Sequence, residues 1–182
     1  RGLGDVYKRQ ADVAEKIGAK KLLVRTGALY HDIGKLVNPA FFTENQKGIN
    51  PHDKLPPERS AQIIISHVSE GLKLAEKFHL PKDVRAFIAT HHGRSKTKYF
   101  YVTYVNNHPG EEVNEALFTY PGPNPFTREQ AILMMADSIE AASRSLKEVN
   151  DESIRNLVNK MIDTQMKEGY FENCPITFKD IR

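Results

Sequence analysis

Apolar residues recur every three or four positions in five stretches of the chain, and no stretch alternates with the period of two that a half-buried strand requires. The first stretch runs from Ala11 to Leu36 with a break near Gly18, and Leu22, Leu23, Ala28 and Leu29 are expected on its buried face. The second starts at Pro57, a residue suited to a first helical turn, and carries the stripe Ile63, Ile64, Val68, Leu72 and Ala75. The third starts at Pro81, buries Val84, Phe87 and Ile88, and stops at Gly93. Thr127 and Gln130 have the spacing of a capping box and open the fourth, "TREQAILMMADSIEAASRSL". The fifth runs from Asp151 to Glu168 and stops at Gly169. The pattern predicts an all-α bundle of five or more helices.

Two connections are longer than packing requires: "VNPAFFTENQKGINPHDKLPP", and the stretch from Arg94 to Phe126. Loops of this length in compact domains usually carry function or move. The second has room for a short helix in "TKYFYVTYV".

Composition narrows the class. The 182 residues, 40% of them hydrophobic, suffice for one domain with a real core. Cys174 is the only cysteine, so no intrachain disulfide forms, and its position near the end of the chain reads as structural. The longest apolar runs, "AILMMA" and "QIIIS", fall far short of the roughly 18 residues of a membrane span. The opening "RGLGDVYKRQ" has no period, and Asp5 to Gln10 resemble the translated end of a sequencing adaptor. Residues 1–10 are therefore expected to be an artifactual leader, and 11–182 a domain from a longer protein. Arg1, Lys8 and Arg9 against Asp5 supply +2 of the net charge of +3, so net charge gives no argument for DNA or RNA as a partner.

The chemistry lies on the predicted helices. His31 and Asp32 are adjacent near the end of the first. His67 falls on the second helix's apolar stripe, and His91 and His92 extend the buried face of the third. Asp137 sits among the small and apolar residues of the fourth. Taken singly, each is explained as a satisfied core histidine or a structural acceptor. Together they are not, because burying Asp32 and Asp137 without countercharge is costly. A pair of metal ions supplies that charge, and imidazole with carboxylate suits iron, manganese or zinc better than calcium or magnesium. Neighbours on a helix point about 100° apart, so His31 and Asp32 are expected to flank a metal, with Asp32 bridging two ions. Two ions about 3.5–4 Å apart activate a water and clamp a phosphodiester for in-line displacement.

The sequences "GALYHDIGK", "FFTENQ", "NPHDKLPPERSAQIIISHVSEGLKLAEKFHLP", "FIATHHG", "YPGPNPFTREQAILMMADSIEAASRSL" and "TFKDIR" resemble the HD superfamily of metal-dependent phosphohydrolases. Within it they are most similar to the cytoplasmic catalytic domain of the seven-transmembrane HD-hydrolase family, whose members are cyclic-di-AMP phosphodiesterases. The resemblance implies an HD-domain bundle, a cyclic dinucleotide substrate opened to the linear form, and iron or manganese as the two divalent ions. It makes His31, Asp32 and Asp137 ligands of one ion and His67, His91 and His92 ligands of the other. It also implies a membrane-embedded region of the same polypeptide, with this domain at the cytoplasmic face of a bacterial membrane, and leaves a homo-oligomer open. The family carries a further ligand histidine that aligns at or beside Gly2, whereas no histidine precedes His31. Weakened occupancy of the first site and low activity are therefore expected of this chain as written.

Lys35, three residues after Asp32, is placed to reach a substrate phosphate or a ligand carboxylate. Arg94 and Arg144 are candidates to pair with substrate phosphates, and Tyr120 in the "YPGP" turn to wall a nucleobase. A cyclic-di-GMP phosphodiesterase is the nearest alternative, but "HHGRSKTKYFY" lacks the Gly-Tyr-Pro order of that group. A mononucleotide phosphohydrolase and a catalytically impaired signalling module are the others.

Overall fold

The computed structural model describes residues 12, 14–16, 18–46, 48–177 and 180. Its helices in chain order are α1 (Lys21–Tyr30), α2 (Pro57–Lys77), α3 (Lys82–Thr90), α4 (Lys98–Asn107), α5 (Arg128–Ser143) and α6 (Asp151–Lys167). No strand occurs among the described residues, where a single bridge joins Lys96 to Thr119. The expected leader, residues 1–10, lies outside the described residues.

Helix ends follow local chemistry. Pro57 opens α2, where a missing N–H costs nothing. Pro81 is the residue before α3 and not part of its first turn. Thr127 Oγ1 accepts the Gln130 N–H at 3.2 Å, but the reciprocal half of the box differs, since Gln130 Oε1 takes the N–H of Phe126 at 2.9 Å. A full capping box, Asn150 with Ser153, starts α6, and Gly169 at φ 76° follows its end. The helix α4 occupies the "TKYFYVTYV" segment.

The first helix departs from expectation in two ways. It ends at Tyr30, and Ile33–Val37 form a tighter 3-10 turn where an α-helix through Leu36 is predicted. Gly34 gives the reason. A Cβ built there lies 1.8 Å from the His67 carbonyl oxygen and 2.5 Å from the Gly71 amide nitrogen, so this turn lies backbone to backbone against α2. The buried face also differs. Val24, Gly27 and Ala28 point inward, while Leu22 and Leu29 are 77% and 56% exposed. The stripe 24, 27/28, 31 is the helical face continuous with His31, and Leu22, Arg25, Thr26 and Leu29 line a shallow groove on the outside.

The core is built around α5. Ala28 of α1, Phe87 of α3 and Leu133 of α5 form one apolar cluster, and Val24 packs with Ile132 beside it. Ala131, Met134 and Met135 form another with Tyr170 and Phe171, backed by Ile162 and Met166 of α6. Each fully buried large side chain here contributes about 1.5–3 kcal/mol. Cys174 belongs to this second cluster, its thiol 3.0 Å from the Pro125 carbonyl.

Candidate metal centre

His31 and His91 are the first residues beyond α1 and α3, and both keep helical dihedrals, so each ring folds back along its own last turn. Their Nδ1 atoms lie 2.8 Å from the Ala28 carbonyl and 2.9 Å from the Ile88 carbonyl. His67, midway along α2, repeats the pattern with the Ile64 carbonyl at 2.5 Å. A carbonyl only accepts, so Nδ1 carries a proton in all three, and Nε2 is the nitrogen that each ring turns toward the others.

Those Nε2 atoms converge on one carboxylate. His31 Nε2 is 3.1 Å from Asp32 Oδ2 and 3.4 Å from Asp137 Oδ1. His67 Nε2 and His91 Nε2 are 3.0 Å apart, and each is 3.6 Å from Asp32 Oδ1. Two bare lone pairs at that separation repel unless a proton or a cation lies between them. His92 joins this side, its ring centroid 4.1 Å from that of His91. The donor atoms of His31, Asp32 and Asp137 lie within 4.8 Å of one another, and so do those of His67, His91 and His92. These are two clusters with the donors of a divalent metal site. Asp32 turns one oxygen to each. Its backbone (φ −101°, ψ 11°) lies beyond the helix, so the turn, and not the 100° step between helical neighbours, aims it.

The electrostatics of these side chains match a site built for cations. Burial opposes charge on His31, but the two facing carboxylates outweigh it and push the imidazole up to about 10. Burial likewise opposes charge on Asp32 and Asp137, yet His31 holds both well below the usual carboxylate range. Burial, reinforced by His91, pushes His67 down to about 4 and His92 well below its ordinary value.

A pH dependence of stability follows for protein kept in chelator. Below pH 6.5 the unfolded chain takes up protons at His67 and His92 that the folded site refuses, so stability falls as pH drops toward 4. His31 has the opposite sign. Its raised value contributes fully below 6.5 and is lost as pH rises toward 10. We expect the midpoint of thermal unfolding to drop by several degrees between pH 6.5 and 4, corresponding to about 2–3 kcal/mol. A flat profile over that range would contradict the assignment of His67 as a buried neutral ring.

The clusters open into a cleft of about 1140 Å³, whose walls include Lys35, Glu44, His92, Tyr120, Asp137 and Arg144. Lys35 Nζ bridges Asp32 Oδ2 at 2.8 Å and Glu44 Oε1 at 2.7 Å. Burial works against its charge, but the Asp32 and Glu44 carboxylates raise its pKa. Arg144 grips Glu140 through Nε and Nη2 at 2.7–3.1 Å. Tyr120 is buried, and one face of its ring stacks on His92 at 4.2 Å and 20°. Arg94 is not among the cleft-lining residues. It is exposed, its main-chain N–H donates to Asn124 Oδ1, and its stem lies against Gly122. Sequence reasoning missed Glu44 and Phe42. Phe42 is buried edge-on to His67, at 5.6 Å between centroids. Both fall in "FFTENQ", inside a loop whose length alone marks it for function.

Residues 5–142 match the HD domain family, and the chain belongs to that family. Among individual proteins, it is 44% identical over 168 residues to the cyclic-di-AMP phosphodiesterase PgpH of Bacillus subtilis (strain 168), covering 92% of this chain and 23% of that protein. With PgpH of Listeria monocytogenes serotype 1/2a (strain 10403S) it shares 43% identity over 170 residues, covering 93% of this chain and 23% of the relative. The crystal structure of the L. monocytogenes PgpH HD domain in complex with cyclic-di-AMP superposes with a TM-score of 0.92 at 42% identity, over 97% of this chain and 82% of that one. The chain thus spans about a quarter of the length of the curated relatives it matches.

Proposed function

We propose that this domain hydrolyses one phosphodiester bond of cyclic di-AMP to give the linear dinucleotide, with two divalent cations, iron or manganese, in the two clusters. The observation that carries this reading is the aim of Asp32, with one oxygen toward the Nε2 of His31 and the other toward those of His67 and His91. The two cations, when bound, supply an activated water and the positive charge that clamps the scissile phosphate. The protein's own groups hold that arrangement. His31, Asp32 and Asp137 serve one ion, His67, His91 and His92 the other, and the i−3 carbonyls fix the Nδ1–H of His31, His67 and His91 so that Nε2 faces inward. Lys35 steadies Asp32 and lines the cleft as a donor for a phosphate oxygen. Cyclic di-AMP is chosen over other cyclic dinucleotides because the similar HD domain of L. monocytogenes was solved in complex with it.

In the intact protein this domain, residues 11–182, is proposed to sit at the cytoplasmic face of the membrane, joined to a membrane-embedded region. Among the described residues no helix is long and apolar enough to cross a membrane. Metal-loaded protein should convert cyclic di-AMP to the linear product with kcat/KM at least about tenfold above that for cyclic di-GMP, one such factor being ~1.4 kcal/mol of transition-state discrimination. Preference for cyclic di-GMP or for mononucleotides in the same assay would overturn the substrate assignment.

A further inference from the structure

Two cations face the cleft near the first metal cluster, and one carboxylate reaches toward both. Glu44 lies in the short 3-10 turn Thr43–Asn45, with Oε1 2.7 Å from Lys35 Nζ and Oε2 3.8 Å from Arg144 Nη1. Lys35 in turn contacts Asp32 Oδ2 at 2.8 Å, and the cleft wall that contains Arg144 also contains Asp137. The Glu44 carboxylate thus lies between the two cationic side chains, and Lys35 Nζ links it to the Asp32 carboxylate.

Its fixings are slight. The Glu44 side chain is 37% exposed, and among the described residues its hydrogen-bond and ion-pair partners are these two cations. Arg144 is already gripped by Glu140 at 2.7 Å, which leaves Glu44 the looser of its two carboxylates. The residue two positions earlier is an anchor: Phe42 is buried against His67, and Lys35 Nζ lies 5.2 Å from the Phe42 ring centroid. A fixed Phe42 and a weakly held carboxylate on the adjoining turn allow Glu44 to leave without moving the metal ligands.

A carboxylate and a phosphodiester are both monoanions that present two acceptor oxygens to a fork or an ammonium group. We propose that Glu44 holds the place of a substrate phosphate between Lys35 and Arg144 and yields it when substrate enters the cleft. In its substrate-free position it gives Lys35 and Arg144 a second carboxylate each, beside Asp32 and Glu140. Its cost is competition with the incoming phosphate. This assignment rests on the reading of the cleft as a phosphodiester site.

The sign of the Glu44→Gln effect separates this role from a structural one. Removing an internal competitor tightens anion binding, whereas removing a strut that positions Lys35 weakens it. Inorganic phosphate is the first probe, titrated calorimetrically into metal-loaded wild type and E44Q. The variant should bind about three- to tenfold tighter, the range expected for loss of a partly exposed ion pair. With cyclic di-AMP, KM should fall by a similar factor while kcat stays within about twofold. In a Lys35→Gln background the same substitution should lose most of its effect, because the two side chains act as a pair. Glu44→Ala should move both readouts in the same direction as E44Q. Unchanged or weaker phosphate binding in E44Q, or a loss of kcat, overturns the proposal. Tighter phosphate binding in E44Q, with no turnover of cyclic di-AMP by wild type, would support the exchange and reject the substrate.

Discussion

Asp32→Asn should remove hydrolysis almost completely, by at least about a thousandfold in kcat/KM or ~4 kcal/mol of transition-state stabilisation, and should lower metal content at both clusters together. The substitution keeps the shape of the side chain but replaces one anionic oxygen with an NH2 donor and removes the negative charge. Whichever way the amide is turned, one cluster meets that donor: either the His31 side, 3.1 Å from Oδ2, or the His67 and His91 pair, 3.6 Å from Oδ1. An NH2 group cannot donate a lone pair to a cation, so the bridge is lost. Asp137→Asn is the comparison, because among these imidazoles only His31 lies within 4 Å of its carboxylate. Metal per chain by plasma mass spectrometry, relative to wild type, should fall on one side of the site for D137N and on both for D32N. Equal metal loss in the two variants would refute a bridging Asp32, as would a D32N protein that keeps its full metal complement.

The readable and unreadable parts of this site divide along a physical line. His67, His91, His92 and Asp137 were legible because helical spacing puts them on faces that apolar neighbours define, and buried charge demands a partner. The aim of Asp32 was not legible. It depends on where α1 stops, and that is decided by Gly34 meeting α2, a contact between residues 33 positions apart in the chain. The inward face of α1 was legible in part, since Ala28 is buried and Leu23 packs against its cluster while Leu22 and Leu29 face out. Leu22 and Leu29 are as apolar as Val24, but hydropathy records what a side chain prefers and not which face a neighbouring helix covers. Glu44, Phe42 and the stacking of Tyr120 on His92 lie in or next to long loops, where no period exists to fix direction. The length of those loops pointed to function, and their contacts came only from the folded chain. The same limit applies to Arg94. It follows His91 and His92 by two or three residues, with Gly93 at φ 52° between, and its main-chain N–H donates to Asn124 while its stem lies against Gly122.

Gly34→Ala tests whether the turn after the His-Asp pair is a spacer or a structural requirement. The added methyl would meet the His67 carbonyl oxygen at 1.8 Å and its carbon at 2.8 Å, both backbone atoms within α2, so no rotamer change relieves the clash. The turn must lift from the helix, and Asp32, two residues away, must lift with it. We expect a destabilisation of about 3 kcal/mol or more, together with loss of metal from both clusters even where enough folded protein remains to assay. Two glycine controls grade the effect. A Cβ at Gly71 meets the buried Ile88 Cγ2 at 2.8 Å and the Gly34 amide nitrogen only at 3.3 Å, so Gly71→Ala presses the same turn less hard, should cost less and should spare the metals more. A Cβ at Gly48 meets nothing within 4 Å, but the backbone there has φ 84°, so Gly48→Ala should cost only about 1–2 kcal/mol of conformational strain and leave metal content unchanged. The order Gly34, Gly71, Gly48 in thermal unfolding, with metal loss confined to the first or strongest in the first, is what a turn docked on α2 requires. A Gly34→Ala protein that unfolds within a degree of wild type and retains its metals would mean that the contact is not what sets the aim of Asp32.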